Sequence, residues 1–122
     1  MQILVIDDDP DVRGMVCRML ESEGHDVIDA VDGVDGMRKI KTKPEIEVVI
    51  TDLIMPEKEG IETIRELKRD FPETKILAIS GGGKSDPDNY LRIAKAMGAH
   101  STLSKPFVKQ DLIDAVQNLF SS

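Results

Sequence analysis

The chain has 122 residues, 40% of them apolar, with a net charge of −7, which fits one domain built around a single core. The negative balance argues against a nucleic-acid or membrane-surface binder, both of which need basic patches, and no apolar run approaches the ~20 residues of a membrane span. Cys17 is the only cysteine, so no internal disulfide can form, and Met1-Gln2 leads into an apolar strand without a signal-peptide pattern, so a reducing cytoplasm is the expected compartment.

Strands and helices alternate along the chain. Gln2–Ile6 reads as a first strand. Asp9-Pro10 follows as an N-cap with Pro at the first helical position. Val12, Met15, Val16, Met19 and Leu20 recur at helical spacing up to Gly24. Cys17 sits in that helix as a packing residue. Val27–Val31 is the second strand, and Asp32-Gly33 opens a short helix carrying Val34, Met37 and Ile40. Ile46–Thr51 is the third strand, and Gly60–Asp70 a helix with Ile61, Ile64 and Leu67 on one face. Lys75–Ile79 is the fourth strand. Asp86-Pro87 starts a helix that runs to Met97-Gly98, and His100–Leu103 is a weak fifth strand. Leu112, Ile113, Val116, Leu119 and Phe120 mark a last helix. Met15, Met19, Met37 and Met97 read as core filler. Glu57-Lys58-Glu59 reads as a solvated loop, and His25 and His100 as surface or strand-edge residues, since neither has partners at metal-ligand spacing.

This alternation predicts an α/β domain, a doubly wound five-stranded parallel sheet covered on both faces. Right-handed crossovers favour the flavodoxin-like order 2-1-3-4-5, whose functional edge lies at the carboxyl ends of strands 1 and 3. That edge explains why two apolar strands run into carboxylates, in "ILVIDDDP" and "ITDLIMP". Asp7 and Asp8 leave strand 1, Asp52 leaves strand 3, Ser80 ends strand 4 and Lys105 ends strand 5. Like charges gathered there raise one another's pKa unless something neutralises them. An all-oxygen acidic pocket suits a hard divalent ion, Mg²⁺ rather than Zn²⁺. With such an ion bound, an aspartate can attack a phosphoryl group, while the metal and Lys105 offset charge on its oxygens. Any one of these residues alone is more simply a cap or a turn. Their placement at the ends of four different strands is the informative feature.

The motifs "VIDDDP" (Val5–Pro10), "TDLIMP" with "EG" (Thr51–Pro56, Glu59-Gly60), "AIS" (Ala78–Ser80) and "SKPF" (Ser104–Phe107) carry a family resemblance. Over essentially its whole length, 1–122, the chain resembles a single receiver domain of bacterial two-component response regulators, with the CheY-like (βα)5 fold. The resemblance implies that Asp52 accepts a phosphoryl group from a histidine kinase or phosphotransfer protein. It implies that Asp8, Asp52 and the main-chain carbonyl of Ile54 hold Mg²⁺, with Asp7 acting through water. Ser80 would supply a hydroxyl and Lys105 a cation to the phosphoryl oxygens, Gly81 would leave room for that group, and Lys105-Pro106 would be cis. The output surface toward a downstream partner or output domain would comprise the Asp88–Met97 helix, the fifth strand and the last helix. Such a domain is a switch that assists its own phosphotransfer and dephosphorylation and is not a metabolic enzyme. It would bind neither nucleic acid nor membrane.

Two features depart from the family pattern. Thr102 stands where many receivers have an aromatic residue, and "SGGGKSDPDN" (Ser80–Asn89) looks expanded and glycine-rich. Both point to a switch that orders this loop and the start of the following helix, in place of an aromatic lever. The stretch "AISGGGKS" (Ala78–Ser85) also fits a loosened P-loop pattern, so an NTPase is one alternative, although Asp86-Pro87-Asp88 would set anionic groups where phosphates bind. An aspartyl-phosphate hydrolase is another, weakened because "DLIMP" lacks a second acid two residues after Asp52.

Overall fold

The structure is a computed structural model that describes residues 1–53, 59–81, 92 and 94–120. Five parallel strands form one sheet: β1 (Gln2–Ile6), β2 (Asp26–Ala30), β3 (Val48–Asp52), β4 (Lys75–Gly81) and β5 (Ser101–Lys105), in the order β2-β1-β3-β4-β5. The helices described in full are α1 (Pro10–Glu21), α2 (Gly33–Thr42), α3 (Glu59–Asp70) and a C-terminal helix (Lys109–Asn118). Residues 94–97 are helical and close at Gly98, whose positive φ of 124° suits glycine. The expected doubly wound fold is the one observed.

Period-two alternation in the strands divides the core in two. Leu4 and Ile6 of β1, Val49 of β3, and Ile76 and Ala78 of β4 pack with Met37, Ile40, Ile64 and Leu67 from α2 and α3. Ile3, Val5, Val48, Ile50, Leu77 and Ile79 point the other way, onto Val16 and Leu20 of α1 and Leu112, Ile113 and Val116 of the C-terminal helix. β1, β3 and β4 are therefore buried on both faces, which is why these segments show apolar runs and not alternation. Half-buried Cys17, Met15 and Met19 pack against the second half of the core.

Caps fix where two helices begin. The Asp9 carboxylate accepts from the Asp11 and Val12 N–H groups at 2.9 and 3.4 Å, and Asp32 accepts from the Asp35 N–H at 2.8 Å.

Several expectations shift. β2 stops at Ala30, because the Val31 N–H turns to the Asp35 carboxylate at 3.2 Å and leaves the ladder. β3 begins at Val48, since the Ile46 N–H closes a turn on Lys43 O at 3.1 Å, and it extends through Asp52. β4 and β5 run on to pair Gly81 with Lys105. Val34, expected on the buried face of α2, is 75% exposed. The face turned to the sheet is Gly33, Gly36, Met37 and Ile40, and hydropathy alone does not register two glycines as core. Met97 is 39% and Phe120 48% exposed, so neither is core filler.

Gly36 lets α2 approach β1 closely. A Cβ there would overlap Ile6 Cδ1 and lie 2.9 Å from Ile6 Cγ1, both on a buried side chain. Gly14 in α1 meets only the end of the Arg18 side chain, at 3.2 Å. The same substitution therefore has opposite signs at the two sites. Gly36→Ala should destabilise by about 1–2 kcal/mol, overpacking outweighing helix propensity. Gly14→Ala should stabilise by about 0.5–1 kcal/mol. Urea unfolding of both variants checks the pair, and a stabilised Gly36→Ala would contradict the packing described here.

Candidate functional site

The sheet register delivers the acids to one edge. Ile6 at the end of β1 is flanked by Ala30 of β2 and Thr51 of β3. Asp7 comes next, its N–H still bonded to Ala30 O at 3.2 Å. Asp52 is the last residue of β3 and lies opposite Ile79. Asp7, Asp8 and Asp52 each offer a carboxylate oxygen, and these lie within 4.8 Å of one another. Asp7 is 4% and Asp52 5% exposed, whereas Asp8 is exposed.

Lys105 closes the cluster from the far strand. Its Nζ donates to Asp52 Oδ2 at 3.2 Å and lies 3.9 Å from Asp7 Oδ2. The strand is long enough for this because β5 pairs with β4 as far as Gly81. The Lys105-Pro106 peptide is cis, as the resemblance implies. Ser80 sits one residue beyond the partner of Asp52 on β4. It is fully buried, and its Oγ has no hydrogen-bond partner among the described residues. A buried hydroxyl in that state costs free energy unless something else satisfies it. Ile54 lies outside the described residues, as do Glu57 and Lys58.

Three carboxylates face one ammonium, so the cluster carries excess negative charge. Burial pushes the Asp7 carboxyl up to about 6 from 3.8. The Asp9 N–H, bonded to Asp7 Oδ1 at 2.9 Å, opposes that shift, the Asp52 charge adds to it, and Lys105 opposes it again. The donor set fits a hard cation, since every ligand atom is oxygen. Asp7, Asp8 and Asp52 present such oxygens within 4.8 Å of one another, so they are the described residues that would hold the ion, directly or through water.

Arg13 borders the site although no motif marks it. Its Nη1 donates to Asp7 O at 2.9 Å and its Nε to Asp29 Oδ2 at 3.0 Å. The available signal was a cation in the first turn of a helix, where the dipole disfavours it. A groove of about 570 Å³ between α2 and α3, lined by residues including Met37, Arg38, Glu62 and Glu66, is not bordered by any of the clustered acids. The P-loop alternative meets a direct obstacle: Ala78–Gly81, half of that pattern, is paired β-strand.

Residues 3–117 match the family model described as response regulator receiver domain. The chain belongs to that family. The chemotaxis protein CheY of Treponema pallidum is 31% identical to this receiver domain over 120 residues, covering 97% of this chain and 81% of that protein. The sensor kinase CckA of Brucella abortus is 30% identical over 96% of this chain, but the chain spans only 12% of that protein's length. Among solved structures, a response regulator receiver domain protein from Clostridium thermocellum superposes with a TM-score of 0.86 at 35% identity, covering 97% of this chain and 92% of that one. No helix among the described residues is long and apolar enough to cross a membrane.

The raised Asp7 pKa sets a pH dependence for the metal-free receiver domain. A folded-state value of about 6 against 3.8 means the folded form holds this proton more tightly than the unfolded chain. The stability this contributes is complete below the unfolded value and is lost as pH rises through about 6. Two pKa units correspond to about 3 kcal/mol. With chelator present, Asp7→Asn and the parent should be close in stability at pH 4. By pH 7 the variant should be the more stable by about 2–3 kcal/mol. Urea unfolding across that range is the measurement, and a gap that does not change with pH would refute the assignment.

Proposed function

We propose that this receiver domain is a phosphorylation switch and that Asp52 is its phosphoacceptor. The observation that carries the reading is the Lys105 ammonium 3.2 Å from the buried Asp52 carboxylate, within a cluster completed by Asp7 and Asp8. The donor would be a phosphohistidine on a histidine kinase or phosphotransfer protein. A carboxylate oxygen of Asp52 attacks phosphorus, an O–P bond forms, the N–P bond breaks, and the imidazole leaves with the bonding pair and gains a proton. Mg²⁺, held by Asp8, Asp52 and the Ile54 carbonyl with Asp7 through water, would supply positive charge beside the phosphoryl oxygens.

The chain's own groups then have defined tasks. Lys105 sits against Asp52 before transfer and pairs with a phosphoryl oxygen after it. The Ser80 hydroxyl, buried beside that point on β4, donates to a second phosphoryl oxygen. Gly81, opposite Lys105 in the register, leaves room for the group. Asp7 and Asp8 hold their places through the β1–α1 turn capped by Asp9. The domain assists its own phosphotransfer and dephosphorylation and turns over no metabolite.

Output would leave through residues 88–97, β5 and the C-terminal helix, toward a downstream partner or output domain. Thr102, half-buried on β5 opposite Ala78, is too small to act as an aromatic lever. The reading therefore favours ordering of the loop after Ser80, most of which lies outside the described residues. A single domain over 1–122, working in the cytoplasm without nucleic acid or membrane, completes the proposal and is consistent with the acidic composition.

Incubation with acetyl phosphate and Mg²⁺, followed by intact-mass measurement, tests the acceptor. One phosphoryl adduct is expected. Asp52→Asn should abolish it, Asp8→Asn should slow it strongly, and Asp9→Asn should leave it in place while costing about 1 kcal/mol of helix capping. An undiminished adduct in Asp52→Asn would overturn the assignment.

A further inference from the structure

We infer that Arg13 is a positioning residue for the acidic cluster, setting the orientation of the Asp7–Asp8 peptide and so the affinity of the site for a divalent cation. The inference rests on the proposed reading of Asp7 and Asp8 as metal-holding residues. It begins from the two hydrogen bonds made by one guanidinium. Nη1 donates to the main-chain oxygen of Asp7 at 2.9 Å, and Nε donates to Asp29 Oδ2 on β2 at 3.0 Å. Arg13 itself is only 17% exposed.

The Asp7 carbonyl belongs to the planar peptide that joins Asp7 to Asp8. Fixing its oxygen fixes the Asp8 nitrogen and Cα with it. The Asp7 N–H is already tied to Ala30 O and its Oδ1 to the Asp9 N–H. The guanidinium therefore adds a further constraint on the segment that presents both acids. Asp29 anchors the guanidinium in turn, and its own main-chain oxygen accepts from Lys39 Nζ on α2. The bracing thus runs from α1 through β2 to α2 and ends on the acid-bearing turn.

The position of Arg13 argues that this contact has a purpose beyond helix stability. It lies in the first turn of α1, its N–H bonded to Asp9 O at 2.9 Å. That end of a helix is the positive end of its dipole, where a cation is disfavoured. Breaking a local rule is expected where a site needs it. The Arg13 contact to Asp7 is made to the main-chain oxygen. It acts on the carboxylates through the backbone, as the outer partners of metal ligands do. Lysine is a poor substitute, because a single ammonium cannot reproduce two bonds from separate nitrogens of a planar fork.

Calorimetric Mg²⁺ titrations of the parent, Arg13→Ala, Arg13→Lys and Asp29→Asn test this, at a temperature where circular dichroism shows each fully folded. Arg13→Ala should weaken Mg²⁺ binding about 10–100-fold, the range for such outer partners. Arg13→Lys should fall between it and the parent. Asp29→Asn should lose less than Arg13→Ala, since the bond to Asp7 O survives. A metal-free readout accompanies these. Amide exchange at Asp9, whose N–H bonds Asp7 Oδ1, should quicken in Arg13→Ala while the β3 amides keep their protection. If Arg13→Ala fails to fold, Arg13→Lys and Asp29→Asn carry the comparison, and parental affinity in both would overturn the inference. Parental affinity in a folded Arg13→Ala, or uniform quickening of all amides, would also overturn it while leaving the metal site standing. No Mg²⁺ binding by the parent would instead remove the site reading and this inference together.

Discussion

Like charge held at close range is the constraint around which this receiver domain is built. Asp7, Asp8 and Asp52 bring carboxylate oxygens within 4.8 Å of one another, and two of the three side chains are almost fully buried. Such an arrangement works against folding unless charge is neutralised or a proton is retained. Lys105 supplies part of the compensation. Burial raises the proton affinity of Asp7 and supplies another part in the absence of metal. A divalent cation would supply the rest, and the same positive charge would serve an incoming phosphoryl group. Stability and function thus meet at one electrostatic problem.

The parallel sheet makes the crowding possible. A strand buried on both faces has few ways to shift, because a slip of one residue would exchange its two apolar sets. Leu4 and Ile6 face one half of the core, and Ile3 and Val5 face the other. This fixes where β1 ends and hence where Asp7 emerges. β3 is held in the same way by Val48, Val49 and Ile50. The close approach of α2 at Gly36, against Ile6, packs the side of β1 just before the acids. β1 and β3 therefore end within one or two residues of the clustered carboxylates.

Much of this was legible in the sequence, because strand order and strand ends follow from patterns that hydropathy records. The convergence of Asp7, Asp8, Asp52 and Lys105 needed only the topology and the rule for the carboxyl edge. Other features were hidden for physical reasons. Gly33 and Gly36 share the buried face of α2 with Met37 and Ile40, but glycine adds nothing to an apolar stripe, so the hydropathy pattern points to Val34, which is exposed. β2 and β3 differ at their ends by one or two residues, where side-chain and turn hydrogen bonds compete with the ladder, and β4 and β5 pair two residues further than hydropathy suggests. Asp7 and Asp8 look equivalent as letters, yet one is buried and the other exposed, because the chain turns between them. The Arg13 contacts link α1, β2 and the β1–α1 turn and have no sequence spacing to announce them.

Family membership and site geometry both support the proposal that the acidic cluster takes a divalent cation. Thermal unfolding in Mg²⁺, compared with NaCl at matched ionic strength and neutral pH, tests that claim most directly. A specific cation site adds stability by mass action, about 2.7 kcal/mol at a hundredfold excess over Kd, whereas screening alone follows ionic strength. The Tm should climb by several degrees with the logarithm of Mg²⁺ concentration, should not do so in NaCl, and should lose this response when Asp8 and Asp52 are both changed to Asn. Equal Tm values in the two salts would contradict the account.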